Sequence, residues 1–227
     1  AGWAIALILI SGFTKVYGFF QLGLLLCYPR FWRNMGYVAG ISAFYFLLPL
    51  VNMPGEVLLP YYRSWVAGLD VHYGTRVFET FFNIRLLFPT LPSYMHYIQA
   101  GVLAALALLL VLCRRKWGDP AFRAQALGIL MGYVILFSNA AEKHTYVIAL
   151  LGYLIWYWSR TPRPLDKLLF WANFIVLVWM PVDVLFPAKW MRFFFDTLDL
   201  NQWLFLVTWL RMVWVTLNPC QEALTEE

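Results

Sequence analysis

Long apolar runs separated by short polar stretches dominate the hydrophobic pattern of this chain. A membrane-spanning helix needs about 20 predominantly apolar residues, and shorter runs are accommodated by bilayer thinning or by interfacial aromatic side chains. Helices also satisfy their own backbone hydrogen bonds, as lipid requires. The pattern therefore predicts an all-α, polytopic transmembrane helical bundle with about seven spans. The predicted spans are 2–28, 35–51, 96–113, 124–138, 144–158, 168–186 and 200–217.

The composition favours the same class of protein. Hydrophobic residues make up 62% of the 227 residues and charged residues 13%, with a mean hydropathy of +0.66, whereas soluble domains average about 25% charged residues. The 12 tryptophans suit the membrane–water interfaces. The net charge of +5 does not indicate nucleic-acid binding, because the basic residues lie between apolar runs, where topology and anionic lipid headgroups use them.

Basic residues are denser in one set of connecting loops than in the other. Three short loops hold nine of the 17 Lys and Arg residues, and the other three loops hold six. Cytoplasmic loops carry the excess of Lys and Arg, so the short loops are predicted to be cytoplasmic, as in a bacterial inner membrane, and the others extracytoplasmic. The short set is 28–34, 113–123 and 159–167; the other set is 52–95, 139–143 and 187–199.

The extracytoplasmic segment 52–95 is too long for a simple connector. Its stretch VFETFFNIRLLF, residues 77–88, has apolar residues at helical spacing, which predicts an amphipathic helix lying on the outer leaflet. Polar side chains alternate with aromatic ones along this segment. The aromatic Tyr61, Tyr62 and Trp65 are candidates to bind a sugar ring or the lipid headgroup region, with ordinary interfacial anchoring as the alternative for each. The candidate substrate-binding residues of this segment are Arg63, Trp65, Arg76 and Glu79.

Three charged residues, Glu142, Lys143 and His144, stand where the fifth apolar run begins. Lys143 and His144 suit a phosphate group, and Glu142 is placed to orient either of them. Successive helix positions lie about 100° apart, so only a bent backbone would bring all three together, whereas Glu142 and Tyr146 lie one turn apart on one face. The alternative is an interfacial cluster whose side chains extend to water.

Lys15 is the one lysine inside a predicted span. A lysine in the membrane is expensive and needs a partner, such as an acidic group or a lipid phosphate, or a route to the interface. The alternative is that the side chain extends inward to that interface. The cysteines, Cys27, Cys113 and Cys220, form no CxxC or Cys/His pattern, so neither a metal site nor a disulfide framework is expected.

Three stretches resemble segments of glycosyltransferase family 87, of the GT-C superfamily, in the right order along the chain. They are GWAIALILISGFTKVYGFFQLGLLLCYPRFWRN, YYRSWVAGLDVHYGTRVFETFFNIRLL and FSNAAEKHTYVIALLGYLIWY. The resemblance covers most of the chain and is closest to bacterial members of the family. Two features depart from the family pattern: Asn139 stands where many members carry Pro, and His144 stands alone where some have two histidines.

The resemblance implies that a sugar passes from a polyprenyl-phosphate donor to an envelope glycan or glycolipid acceptor on the extracytoplasmic face, with no cofactor. His144 and Glu142 would then be catalytic, and Lys143, Tyr146, Lys15, Arg63, Trp65, Arg76 and Glu79 would bind substrate. In this family the acidic base lies in the first outer loop. The chain opens inside an apolar run without Met, so we expect residues 1–227 to be one transmembrane domain from the C-terminal part of a longer chain, with the base upstream.

The alternative function is a polytopic transporter or lipid-carrier protein without transferase chemistry. Such a protein also places ionisable residues in spans and aromatic residues at the outer face, but it predicts inverted repeats and helices broken near the midplane. No repeat is evident in the sequence.

Overall fold

The structure of this protein, a computed structural model, describes the backbone of residues 2–76, 95–137, 145–180, 186–198 and 200–225. It divides into two compact units, Ala1–Glu79 and Thr80–Glu227. Every regular element in these ranges is helical, which confirms the all-α prediction. One continuous helix among them, Phe31–Val51, is long and apolar enough to cross a membrane; five shorter apolar helices accompany it.

Residues 2–76 of the first unit form three α-helices and two 3-10 segments. Helix α1 (Gly2–Thr14) is followed by a 3-10 helix at Val16–Cys27, α2 (Phe31–Leu47) continues as a 3-10 turn at Leu48–Val51, and α3 covers Gly55–Arg76. Ile5, Leu9 and Leu25 form its buried cluster, against which Phe13, Phe19, Leu22, Met35, Val38, Ile41 and Tyr45 pack.

The predicted span 2–28 is not one helix. The chain bends at Lys15, and the 3-10 helix returns along α1. Glycine makes this return possible: a Cβ at Gly18 would collide with the backbone nitrogen of Gly12 and would lie 2.7 Å from the carbonyl carbon of Ser11. The segment is therefore a tight helical hairpin, and Lys15 lies at its tip rather than inside a span.

The predicted outer loop 52–95 also differs from the expectation, because its first part is the 22-residue helix α3. Pro60 lies inside that helix, and an interior proline normally argues against one. The Tyr62 hydroxyl ties α3 to α2 by donating to the backbone oxygen of Phe46 at 2.6 Å. The amphipathic helix predicted at 77–88 lies outside the described residues.

Six α-helices lie in the part of the second unit that the structure describes. They are α4 (Met95–Leu112), α5 (Pro120–Leu136), α6 (Tyr146–Trp158), α7 (Pro164–Phe174, continuing as a π-helix at Ile175–Trp179), α8 (Ala188–Met191, continuing as a π-helix at Arg192–Thr197) and α9 (Leu200–Thr225). A 3-10 turn, Arg114–Lys116, connects α4 to α5. These elements match the predicted spans 96–113, 124–138, 144–158, 168–186 and 200–217 to within a few residues at most ends.

Helices α5 and α6 pack backbone to backbone through two glycines. A Cβ on Gly128 would collide with the backbone oxygen of Gly152, and a Cβ on Gly152 would lie 2.8 Å from the Met131 Cβ. Small residues at a crossing let two helices approach this closely. The contact pairs the middle of α5 with the middle of α6, so the start of α5 lies beside the end of α6.

Helix α9 packs against this pair through buried indole groups. Gly132, one turn after Gly128, leaves the space that the Trp209 ring occupies, and the Trp209 Nε1 donates to the backbone oxygen of Ile129 at 2.9 Å. The Trp156 Nε1 of α6 donates to the Thr216 Oγ1 of α9 at 3.0 Å. Each indole N–H is thus satisfied inside the bundle, as burial requires.

Cys113, directly after α4, is disulfide-bonded, although the cysteine pattern predicted no disulfide framework. Spacing along the sequence could not show it, because folding brings together cysteines that are far apart in the chain.

Candidate functional site

The predicted catalytic residues Glu142 and His144, with Lys143, lie outside the described residues, and the structure describes the helix into which they lead. Tyr146, the first residue of α6, is buried, and its ring contacts the ring of Phe205 edge to face at 6.5 Å. Thr145 is buried as well. The α6 end of the predicted site is therefore anchored in the core, and Tyr146 is a packed residue rather than an exposed one.

Polar groups gather at this same end of the second unit. The Tyr133 hydroxyl donates to the backbone oxygen of Gln99 at 2.9 Å, and the Gln99 side-chain nitrogen donates to the backbone oxygen of Phe137 at 2.6 Å. At the start of α9, the buried side-chain oxygens of Asn201 and Gln202 have no hydrogen-bond partner. Buried acceptors are normally satisfied, so these two carbonyl oxygens mark a place where a donor is missing.

Asn201 was not among the sequence-predicted candidates. It lies one turn before Phe205 on the same face of α9, on the N-terminal side of the ring that Tyr146 contacts. An asparagine at the start of a helix is usually assigned to capping, so the sequence alone did not mark it as a site residue.

Of the other predicted substrate-binding residues, Lys15 is exposed at the tip of the α1 hairpin, with its ammonium 6.0 Å from the centroid of the Tyr17 ring. Arg63 and Trp65 are exposed on α3; because they are two positions apart, they point to nearly opposite sides of the helix. The Arg76 side chain and Glu79 lie outside the described residues.

A charged cluster that the sequence did not predict lies at the opposite end of the second unit. The carboxylate of Asp166, which is fully buried, accepts from the Arg160 Nη1 at 3.0 Å, the Arg211 Nε at 3.1 Å and the backbone nitrogen of Arg163 at 2.8 Å. The Tyr153 hydroxyl donates to the backbone oxygen of Asp166 at 2.7 Å. The cluster joins the α6–α7 connection to α9 and caps α7.

The electrostatics of this cluster are those of a cation-rich site. Burial lowers the pKa of the Arg160 guanidinium, and the nearby Asp166 carboxylate acts in the opposite direction. The guanidinium carbon lies 4.8 Å from the centroid of the Trp156 ring, a cation–π contact. A signal for this cluster existed, since Arg211 lies in a predicted span, where a charge needs a partner.

A second buried polar pair joins α7 to α9. The Asn173 side-chain nitrogen donates to the Thr208 Oγ1 at 2.7 Å and to the backbone oxygen of Leu169 at 2.8 Å. The Asn173 Oδ1 is buried without a partner. The π-helical segment begins two residues later, and π-helical insertions in helices occur often at functional sites.

Within the described ranges, no group of three or more His, Cys, Asp or Glu side chains is placed to hold a metal ion. Comparisons with protein-family models, with curated proteins and with solved structures found no match to this chain.

Proposed function

We propose that this chain is a multi-pass integral membrane protein, and the arrangement of polar and apolar residues on α9 carries the proposal. Asn201, Thr208 and Thr216 face the interior of the second unit. The outward face is apolar, with Trp203, Val207, Leu210 and Trp214 exposed. This polarity is the reverse of a helix in a water-soluble protein. It fits lipid, which solvates apolar side chains and leaves polar groups to pair inside the bundle.

Helix α7 has the same reversed polarity. Asp166 and Asn173 are fully buried, whereas Leu165, Leu168 and Trp171 are exposed. Two helices with polar interiors and apolar exteriors support several membrane crossings, beyond the single helix that is long and apolar enough by itself. We propose that this multi-pass protein lies in a bacterial cytoplasmic membrane.

Within the membrane, we propose that the protein is a glycosyltransferase that moves a sugar from a polyprenyl-phosphate donor to an envelope glycan or glycolipid. Glu142, Lys143 and His144 directly precede Thr145 and Tyr146, the N-cap and the first residue of α6, and both of these are buried. A site attached to a packed element keeps its geometry better than one on a free loop. Lys143 and His144 would stabilise the charge that develops on the departing lipid phosphate, and Glu142 would orient them.

The unpaired acceptors at the start of α9 support a sugar as the ligand. Asn201 and Gln202 present buried carbonyl oxygens without donors, and sugar hydroxyls are donors of the kind that such oxygens accept. These two residues lie at the end of the unit from which the Glu142–His144 segment extends. We propose that they contact the sugar while the cationic residues contact the phosphate.

The test is sugar transfer from a radiolabelled polyprenyl-phosphate hexose or pentose, measured in membranes from cells that express the full-length protein. His144→Ala should lower transfer by about 100-fold or more, the usual contribution of a proton-transferring or charge-stabilising group. His96→Ala, at the start of α4, is the matched control and should retain activity. Normal transfer by His144→Ala would show that His144 has no role in the mechanism. If the wild type transferred sugar from none of the donors, the proposed transferase function would be rejected.

A transporter or lipid-carrier protein is the second candidate, because one observation favours it. The orphan Asn173 oxygen lies beside the π-helical stretch Ile175–Trp179, and transporters bind substrates where helices depart from regular geometry near the midplane. Movement of labelled polyprenyl phosphate across proteoliposome membranes, unaffected by His144→Ala but lost in Asn173→Leu, would select this candidate over the transferase.

A further inference from the structure

The positive charge of the cluster around Asp166 exceeds the negative charge of its single carboxylate. Arg160 and Arg211 each donate one N–H to that carboxylate, and each guanidinium has five N–H groups. Their side chains remain 14% and 19% exposed, respectively, whereas Asp166 is fully buried. Arg163 and Lys167, on either side of Asp166 in sequence, are exposed. Four cationic side chains therefore accompany one carboxylate.

Apolar side chains adjoin the exposed edge of this cluster. Leu165 and Leu168 flank Asp166 on the outward face of α7, and Trp214 lies one turn after Arg211 on α9. Trp158, at the end of α6, is 75% exposed. A ligand that suits both parts has an anionic oxygen group for the guanidiniums and a hydrocarbon chain for these side chains.

We propose that the Arg160–Arg211 pair is a binding site for the phosphate of an anionic phospholipid, whose acyl chains lie on the outward faces of α7 and α9. Arginine forms paired N–H···O contacts with phosphate oxygens, and basic pockets between transmembrane helices bind lipid phosphate groups. The single carboxylate of Asp166 offsets only part of the positive charge of the two guanidiniums. The inference rests on the membrane location proposed above and is independent of the transferase chemistry.

The test measures lipid retention by native mass spectrometry of the purified full chain, incubated with equal amounts of phosphatidylglycerol and phosphatidylcholine of the same acyl composition. The wild type should retain phosphatidylglycerol preferentially. Arg160→Gln and Arg211→Gln should each lower that preference by about fivefold, as expected for one basic residue near an anionic lipid surface. Arg114→Gln, an exposed arginine of the α4–α5 turn, removes the same charge elsewhere and should change the preference much less.

Asp166→Asn separates a lipid site from a purely structural ion cluster. In a lipid site this change frees both guanidiniums and should raise phosphatidylglycerol retention, opposite to the arginine variants. If a Gln variant does not remain monodisperse, Arg160→Lys and Arg211→Lys keep the charge but lose the paired geometry, and should show an intermediate preference.

Three results would overturn the proposal: no preference in the wild type, equal losses in Arg114→Gln and Arg160→Gln, or a lower retention in Asp166→Asn. Displacement of the lipid by inorganic phosphate at millimolar concentration, with phosphate alone raising the thermal midpoint, would assign the site to free phosphate instead. A chain that stays monodisperse without detergent would contradict the membrane location and not this site in particular.

Discussion

At the scale of single residues, several buried polar side chains in the second unit form hydrogen-bonded pairs that join separate helices. Trp156 is fully buried, and its Nε1 donates to the Thr216 Oγ1 at 3.0 Å across 60 positions of sequence. When a buried donor loses its acceptor, the protein loses stability by the full desolvation free energy of that donor. Removing one partner of such a pair therefore costs more stability than the net strength of the hydrogen bond, because the other partner stays buried and unsatisfied.

Thr216→Val tests this argument because it removes the acceptor and keeps the shape of the side chain. We expect the free energy of unfolding to fall by about 1–3 kcal/mol, the penalty of an unsatisfied buried donor. Thr14→Val is the matched control, since Thr14 is exposed and its hydroxyl donates to the Ile10 backbone oxygen of its own helix. Unfolding of the purified protein in micelles measures both variants. A double-mutant cycle with Trp156→Phe that returned no coupling would contradict the pairing.

The residue scale also shows the limit of the sequence reasoning. Arg211 was visible as a charge inside a predicted span, but its partner Asp166 lies 45 positions away, and only the packing of α7 against α9 joins them. Asn201 and Asn173 looked like ordinary polar residues at a helix start and inside an apolar run. Their unsatisfied oxygens are consequences of tertiary burial, which no local pattern encodes.

At the scale of helices, close approach depends on glycine at the α5–α6 crossing. Gly128 and Gly152 face each other so closely that a Cβ on either would contact the other's backbone oxygen. Gly101 of α4 has no atom within 4 Å of the position where its Cβ would lie. Substitution of glycine by alanine should therefore lower the free energy of unfolding at Gly152 but not at Gly101.

Gly152→Ala should lower the free energy of unfolding by about 1–3 kcal/mol, because the added methyl forces the two helices apart. Gly101→Ala should leave it unchanged or raise it by up to about 1 kcal/mol, because alanine favours the helix where space is open. Thermal midpoints of the two variants in the same detergent make the comparison. A Gly152→Ala protein as stable as Gly101→Ala would show that α5 and α6 do not cross at these glycines.

Helix positions were predictable from the sequence wherever an apolar run matched one helix, as in 96–113 and α4. The prediction failed at 2–28, because the bend at Lys15 depends on Gly18 meeting the backbone of Ser11 and Gly12. It failed again at 55–76, which was assigned to the long loop 52–95, yet the backbone is helical and includes Pro60. At 2–28 a tertiary contact overrode the local pattern. At 55–76 the helix tolerates an interior proline.

At the scale of the whole molecule, the central question is whether lipid or water surrounds the second unit. Val207 lies between Trp203 and Trp214 on the outward face of α9 and is 54% exposed. In water, a charge at an exposed position changes stability by about 0.5 kcal/mol or less. In the middle of a bilayer, arginine on a helix opposes insertion by about 2.5–3.5 kcal/mol. One substitution therefore distinguishes the two solvents.

We expect Val207→Arg to lower strongly the fraction of protein that remains in alkali-washed membranes. Leu165→Arg is the matched control, because Leu165 is equally exposed on the first turn of α7, where an arginine side chain extends to the interface. If both variants behave as the wild type, lipid does not lie against α9. The reversed polarity of α7 and α9 would then require another apolar surface, such as a partner protein, to cover Trp203, Val207, Leu210 and Trp214.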